Sequence, residues 1–495
     1  MPLSVYIGVD LGTTNLKALA IDARSSAIVA HAARPVATLS PKPDVAEQDA
    51  DQLWTLFLDM MAELARELPA EVAIGGVSFS TAMHSLLAVD EAGKPLTNAL
   101  IWSDNRAATD AATIKQEHPD LYQIVGVPIH PMLPLCKLAW FKRTNPRLLK
   151  RASRWVSVKD YFWWKLTGRY EIDYAMAGAT GMFNSTKTAW HLPALALAGI
   201  RPDQLSTPVD TTQTVPYVPP ATGAVPGLRA GVPLVIGASD GCLANIGAGA
   251  LEPGITTITI GTSGAVRRTS PRPVRDGQAR LFSYMMHHGN RQQPTLYAVG
   301  GPTNNGANVL QWVSEKIMHL PVDGVLKQAA TVPAGADGLL FLPYLHGERA
   351  PLWDASVRGS FQGLDYVHTS AHMARAALEG VLFNLRRIEL LLARHAGPTH
   401  VIHANGGFAQ SPFWVQLMAD IFAVPVRLNA SNESSGIGAA LLAHFALANP
   451  PTSLAELAQT VQFGQMFTPN PDAVKIYRQH YNQFAALIEG SSSGQ

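Results

Sequence analysis

IGVDLGTTNLKALAID, residues 7–22, decides the reading of this chain. A short, β-branched apolar run from Val5 to Val9 leads into Asp10-Leu11-Gly12-Thr13-Thr14, and apolar residues resume at Leu16, which is the pattern of strand, turn and strand. A Walker loop would open a helix instead. TTITIGTSG, residues 256–264, repeats the pattern around Gly261-Thr262-Ser263-Gly264. In such turns glycine lets the backbone approach a polyanion, while N–H groups and hydroxyls donate to phosphate oxygens. Lys17 adds a positive charge beside the first turn. With Gly12 laid on Gly261, Asp10 falls on Thr259, so a single hairpin carries a carboxylate. That asymmetry suits a nucleotide whose phosphates bring Mg²⁺ to one or two carboxylates, because a second acid would repel them. Each turn alone reads as an ordinary hairpin; the pair points to one nucleotide held between two halves.

At 495 residues the chain exceeds one hydrophobic core. The expected domains are 1–249, with the first hairpin, and 250–490, with the second. A formal net charge of +1 and the lack of a dense Lys/Arg stripe argue against a nucleic-acid partner. No apolar run reaches membrane-spanning length and no secretory leader pattern opens the chain, so a cytoplasmic protein without a membrane partner is expected. Cys136 and Cys242 have no metal-ligand spacing, and His287-His288 lacks an obvious third ligand.

Leu53, Leu56, Phe57, Met60, Met61, Leu64 and Leu68 share one helical face. Strands are expected at 75–80, 86–90, 233–238 and 401–404, and helices at 243–249, 307–318 and 371–395, giving an α/β chain with a weak internal duplication. The proline-rich stretch 201–233 reads as a long irregular connection, Gly436 and Gly438 as helix-packing positions, and 491–495 as an irregular tail.

Asp240 follows an apolar strand and opens a helix, where it reads as a general base for a substrate hydroxyl or as a helix cap. Met83, His84 and the Trp102-Ser103-Asp104-Asn105-Arg106 segment offer a sugar-sized polar set, with Trp102 as an apolar wall. Packing for His84 and a structural salt bridge for Arg106 are the plainer readings. Gly406-Gly407 lies at a strand–helix junction, Ser411-Pro412 opens the next helix, and Gly306 offers another close backbone approach.

The segments IGVDLGTTNLKALAID, MLPLCKLAWFKR (132–143), TTITIGTSG, GSFQGLDYVHTSAHMARAALEG (359–380) and ANGGFAQSPFW (404–414) resemble the FGGY family of carbohydrate kinases over nearly the whole chain. One departure is Thr144, where the family's first signature prefers an acidic, amide or histidine residue. The resemblance implies an α/β fold of two actin-like (ribonuclease H-like) ATPase domains with an interdomain cleft, using ATP and Mg²⁺. It implies Asp10 as the metal-associated aspartate and Thr13, Thr14, Lys17 and Thr262, with Gly12 and Gly261, as the phosphate contacts. Gly306, Gly406, Gly407 and Ser411 fall on the nucleotide side, Asp240 matches the catalytic base, and Met83 with His84 a substrate-contacting pair.

Within the family, FSTAMHSLLAVD (79–90), PLTNALIWSDNRA (95–107) and LPYLHGERAPLWD (342–354) most resemble gluconate kinases, implying phosphorylation of the primary hydroxyl of D-gluconate to 6-phosphogluconate. Xylulokinase or another pentulose or polyol kinase is the alternative, and a sugar-independent actin-like or chaperone-type ATPase a remote one. The expected partners are a sugar acid or polyol and ATP, and a homodimer is compatible with them. A gluconate carboxylate would want a cation, for which Arg106, Lys137 and Arg349 are the candidates.

Overall fold

The computed structural model describes residues 3–492 apart from 70, 221–222, 290–293 and 450. Two compact units divide the chain. The first holds residues 1–251, 270–298 and 433–461, and the second 252–269, 299–432 and 462–495. The 250–490 stretch therefore returns twice to the first unit, where the sequence patterns suggested a single crossing.

In the first unit β1 (Ser4–Leu11), β2 (Asn15–Asp22), β3 (Ile28–Pro35), β4 (Ala73–Thr81), β5 (Thr214–Pro216) and β6 (Pro233–Ser239) form one sheet in the order β5-β6-β4-β1-β2-β3. β1 is antiparallel to β2 and parallel to β4, which is parallel to β6. Val5, Ile7, Val9, Val77, Phe79, Leu234 and Ile236 are buried, as expected of parallel strands covered on both faces. The Ala50–Glu67 helix, capped by Asp49, buries Leu53, Phe57, Met60, Met61 and Leu64, each worth about 1.5–3 kcal/mol of burial.

The Ser434–Leu447 helix explains one return of the chain. It packs on β1, β4 and the Asp240–Gly247 helix. A Cβ on Gly8 would fall inside the carbonyl oxygen of Gly436, so glycine alone permits this strand–helix approach. The packing role expected of Gly436 and Gly438 is the one observed.

In the second unit β7 (Ile255–Ile260), β8 (Gly264–Ser270), β9 (Leu296–Thr303), β10 (Val401–Asn405), β11 (Val426–Asn429) and β12 (Phe463–Phe467) run in the order β9-β8-β7-β10-β11-β12. β7 is antiparallel to β8 and parallel to β10, which is parallel to β11, while β12 is antiparallel to β11. Six of the seven strands of this sheet thus repeat the first unit's order, β3-β2-β1-β4-β6-β5. The duplication expected from two turns extends through both sheets.

The 307–318 helix begins as α-helix over Ala307–Trp312 and widens to a π-helix over Val313–Met318. Short pieces of helix and strand interrupt 201–233. The Pro471–Ser492 helix takes in 491–492 of the expected tail, and 493–495 lie outside the described residues. Among the described residues no helix is long and apolar enough to cross a membrane.

Candidate active site

Three neighbouring parallel strands of the first unit end on one edge of its sheet, the edge where α/β sheets bind ligands. Asp10 is paired in register with Ser80, and Ser80 with Ala238, so Asp10, the Ser80–His84 segment and Asp240 emerge side by side. Ser80 Oγ donates to Asp10 Oδ1 at 2.7 Å. Burial pushes the Asp10 carboxyl up to about 6; Ser80 and Lys17 pull it down, while Asp240 and Glu433 push it up. A carboxylate held at such cost is relieved by a divalent cation. Among the described residues no group of three or more His, Cys, Asp or Glu side chains converges on a metal position. A single carboxylate of this kind fits a divalent cation that takes its remaining oxygens from elsewhere.

Asp240 is the first residue of the Asp240–Gly247 helix, and the cap is Ser239, whose side chain accepts from Cys242 N–H. The helix-cap reading of Asp240 gives way to a half-buried carboxylate at the helix start that accepts from Gly241 N–H at 2.6 Å. Its charge is felt at Asp10.

Lys17 lies directly opposite Asp10 across the hairpin. Its ammonium donates to both oxygens of Glu433 at 2.8 and 2.9 Å. Glu433 heads the Ser434–Leu447 helix, and nothing in the turn motif pointed to it. Thr14 is exposed. Gly12-Thr13 is anchored from below, since Gln48 Nε2 donates to Thr13 O at 2.7 Å. Trp102 Nε1 donates to Thr13 Oγ1 at 3.4 Å, which sets the expected apolar wall beside the phosphate turn.

His84 is buried with φ of 70°, and its Nδ1 pairs with Ala179 O at 2.8 Å. Met83 packs against the cluster of Ile172, Met176, Ala177 and Phe183. Asp104 is fully buried and receives the Arg106 guanidinium at 2.7 Å together with Ala46 N–H at 3.0 Å. Arg106 also donates to Glu47 and lies 4.8 Å over the Trp140 ring. The plainer reading of Arg106 is the observed one, and Asp104 is its partner.

The other two cations proposed for a substrate carboxylate are also engaged. Lys137 is fully buried and donates to three backbone carbonyls. Arg349, in the second unit, donates to Thr303 O at 2.9 Å.

In the second unit β7 and β10 are parallel neighbours ending at Gly261-Thr262 and Gly406-Gly407. The Gly261 turn docks on a helix start: Ala307 N–H donates to Gly261 O at 2.8 Å and Asn308 N–H to Thr262 O at 3.2 Å. A Cβ on Gly306 would sit 2.5 Å from Ser263 O and 2.7 Å from Gly261 O, so only glycine fits. Gly406 takes φ of 104° against β7, and nothing lies over Gly407. Ser411 caps the Pro412–Phe422 helix through Trp414 N–H.

Gly407, Ser411, Pro412, Ala307, Leu310 and Ser314 line an open cavity of about 850 Å³, of the size that takes a nucleoside. Gly407 and Ser411 were legible in the sequence; the π-turn that carries Ser314 into the wall had no signature in it.

The geometry thus has a carboxylate pair at one set of strand ends in the first unit and, in the second, an open cavity that Gly407 and Ser411 help to line. Known proteins match nearly the whole chain. The model of the FGGY carbohydrate kinase N-terminal domain matches residues 5–247, and that of the C-terminal domain residues 256–447. A gluconokinase of Bacillus licheniformis is 39% identical over 96% of this chain and 94% of the relative. A xylulose kinase of Staphylococcus epidermidis is 30% identical over 99% and 97%. The crystal structure of a gluconate kinase from Lactobacillus acidophilus superposes with a TM-score of 0.93 at 32% identity, covering 99% of both chains. Matched in both of its halves by the models of this family's two domains, the chain belongs to the FGGY family of carbohydrate kinases.

Proposed function

We propose that this sugar kinase transfers the γ-phosphate of ATP to the primary hydroxyl of D-gluconate, giving 6-phosphogluconate and ADP. The observation that carries the choice of sugar is the 39% identity to a gluconokinase, over 94% of that relative, against 30% to a xylulose kinase. Xylulose is the second reading, favoured by the engagement of Arg106, Lys137 and Arg349 with partners of their own.

In this reading Asp240 accepts the proton of the attacking hydroxyl as its oxygen bonds to the γ-phosphorus, and the bond from that phosphorus to the β-phosphate oxygen breaks. A free hydroxyl is too weak an acid to ionise first, so proton transfer accompanies bond formation. Met83, His84 and Trp102 hold the sugar, and Asp104 with Arg106 braces the segment that carries Trp102. Thr13, Thr14, Lys17 and Thr262 donate to phosphate oxygens, and Gly306, Gly406, Gly407 and Ser411 form the nucleoside seat. Asp10 would hold the metal, and a bound Mg²⁺ supplies neutralisation of phosphate charge. Positioning and electrostatics then carry most of the rate.

The experiment is ADP formation from ATP and Mg²⁺ with gluconate, xylulose, ribulose and glycerol in turn. Gluconate should give the highest kcat/KM. A pentulose above gluconate overturns the choice of sugar, and steady ADP formation without any sugar overturns the transferase reading in favour of an ATPase.

A further inference from the structure

The MLPLCKLAWFKR segment contributes most of the Pro134–Thr144 helix, whose buried lysine, Lys137, has no place in the chemistry above. The side chain is fully buried, and its Nζ donates to His84 O at 2.6 Å, Ile101 O at 2.8 Å and Leu100 O at 3.1 Å. An ammonium has three donors and no acceptor, and here three acceptors meet it. The acceptors belong to two segments that converge from different strands. One carries Met83 and His84, with His84 in a left-handed conformation that a non-glycine residue adopts only when its surroundings impose it. The other runs straight into Trp102 and Asp104. Leu86 and Leu100 join the two by reciprocal backbone bonds. From the same helix Trp140 receives the Arg106 guanidinium on its ring face, so the helix grips the second segment twice.

We propose that Lys137 is a positioning residue that clasps the two sugar-carrying segments in register and so sets the affinity for the sugar without touching it. The inference rests on the assignment of Met83, His84 and Trp102 to the sugar, and not on which sugar is used. Burial also pushes the Lys137 ammonium down to about 7, with Asp104 and Cys136 opposing the shift and Arg106 adding to it. His84 faces the same ammonium through its carbonyl, while its ring pairs with Ala179 O. Loss of the proton leaves two donors for three carbonyls and turns a lone pair towards one of them. The clasp therefore loosens at alkaline pH.

The test is Lys137→Met, which keeps the stem and removes the donors. For whichever sugar the wild type phosphorylates, KM should rise about tenfold or more, with the KM for ATP within about twofold, as expected when a charged hydrogen-bond set supporting one substrate is lost. Amide exchange should quicken in peptides covering 82–86 and 99–106 and stay unchanged in those covering 261–263 and 407–414. An unchanged sugar KM with a merely lowered Tm, or equal losses for sugar and ATP, overturns the proposal. Should the variant not fold, the wild type decides: between about pH 6 and about pH 9 the sugar KM should rise several-fold with the ATP KM steady, and a flat sugar KM overturns it. Wild-type activity with no sugar of the panel, alongside unchanged exchange in Lys137→Met, removes both the sugar assignment and the clasp.

Discussion

Lys17 and Glu433, 416 residues apart in the chain, form a two-pronged ion pair beside Asp10. The ammonium expected to meet phosphate is thus already neutralised, and a nucleotide must compete for it. Both side chains are partly exposed, so the pair is worth about 0.2–1 kcal/mol. Glu433→Gln should therefore tighten ATP binding by about two- to fivefold at low ionic strength, leave the sugar KM unchanged and cost little stability. Titration calorimetry with a non-hydrolysable ATP analogue reads this directly, and weaker binding would show that Glu433 positions Lys17 and does not restrain it.

Asp10 carries a stability cost with a defined pH window. Its folded-state value of about 6 lies above the ordinary 3.8, so the protonated form is favoured in the fold. Its favourable contribution is complete below about pH 4 and is lost as pH rises through about 6. Asp10→Asn should then raise the stability of the metal-free protein at neutral pH by about 1–3 kcal/mol, with no gain at pH 4. Added Mg²⁺ with nucleotide should raise the Tm of the wild type by more than that of the variant, which keeps the other nucleotide contacts but loses the one to the metal. Thermal unfolding at the two pH values, with and without the metal, checks both; equal Tm values at neutral pH would mean that Asp10 is well solvated.

Asp240 is open to a cleaner test because Ser239, and not Asp240, caps its helix. Asp240→Asn should keep the fold and the affinity for ATP while lowering kcat by about 10²–10⁴-fold, the usual worth of a general base. Near-normal turnover in a folded variant would remove Asp240 from the proton transfer.

How much of this was legible in the sequence follows from the range of the interactions. The two hairpins, the helix from Ala50 to Glu67 and the strand before Asp240 are local patterns of alternating or periodic apolar residues, and local patterns set local structure. Asp10 and Asp240 were legible because a carboxylate at a strand end beside a glycine turn is itself a local feature. Glu433 was not, since its pairing with Lys17 exists only once the Ser434–Leu447 helix has packed on β1. The three acceptors of Lys137 are backbone carbonyls, which every residue possesses and which leave no trace in residue type. Arg106 could be read as a salt-bridge former, but Glu47 as one of its partners depends on the pairing of distant strands.

Gly306 separates a backbone requirement from a chemical one. Its Cβ-to-be faces two carbonyl oxygens, of Ser263 at 2.5 Å and of Gly261 at 2.7 Å, and these belong to the turn expected to meet phosphate. Carbonyls in a turn held by Ala307 and Asn308 N–H cannot rotate away as a flexible side chain would. Gly306→Ala must therefore push the helix start and the turn apart by several tenths of an ångström, misplacing Thr262. Such a displacement costs about 10-fold or more in kcat/KM when it falls on a positioned phosphate. The loss should appear with ATP as the varied substrate, with the sugar KM unchanged, since Met83, His84 and Trp102 belong to the first unit and Gly306 to the second. Gly407→Ala is the control: nothing lies within 4 Å of its added Cβ, so the protein should fold as before, and any loss there reports contact with the bound nucleoside itself. Equal effects on the KM of sugar and ATP in Gly306→Ala would show that the turn serves the fold and not the nucleotide.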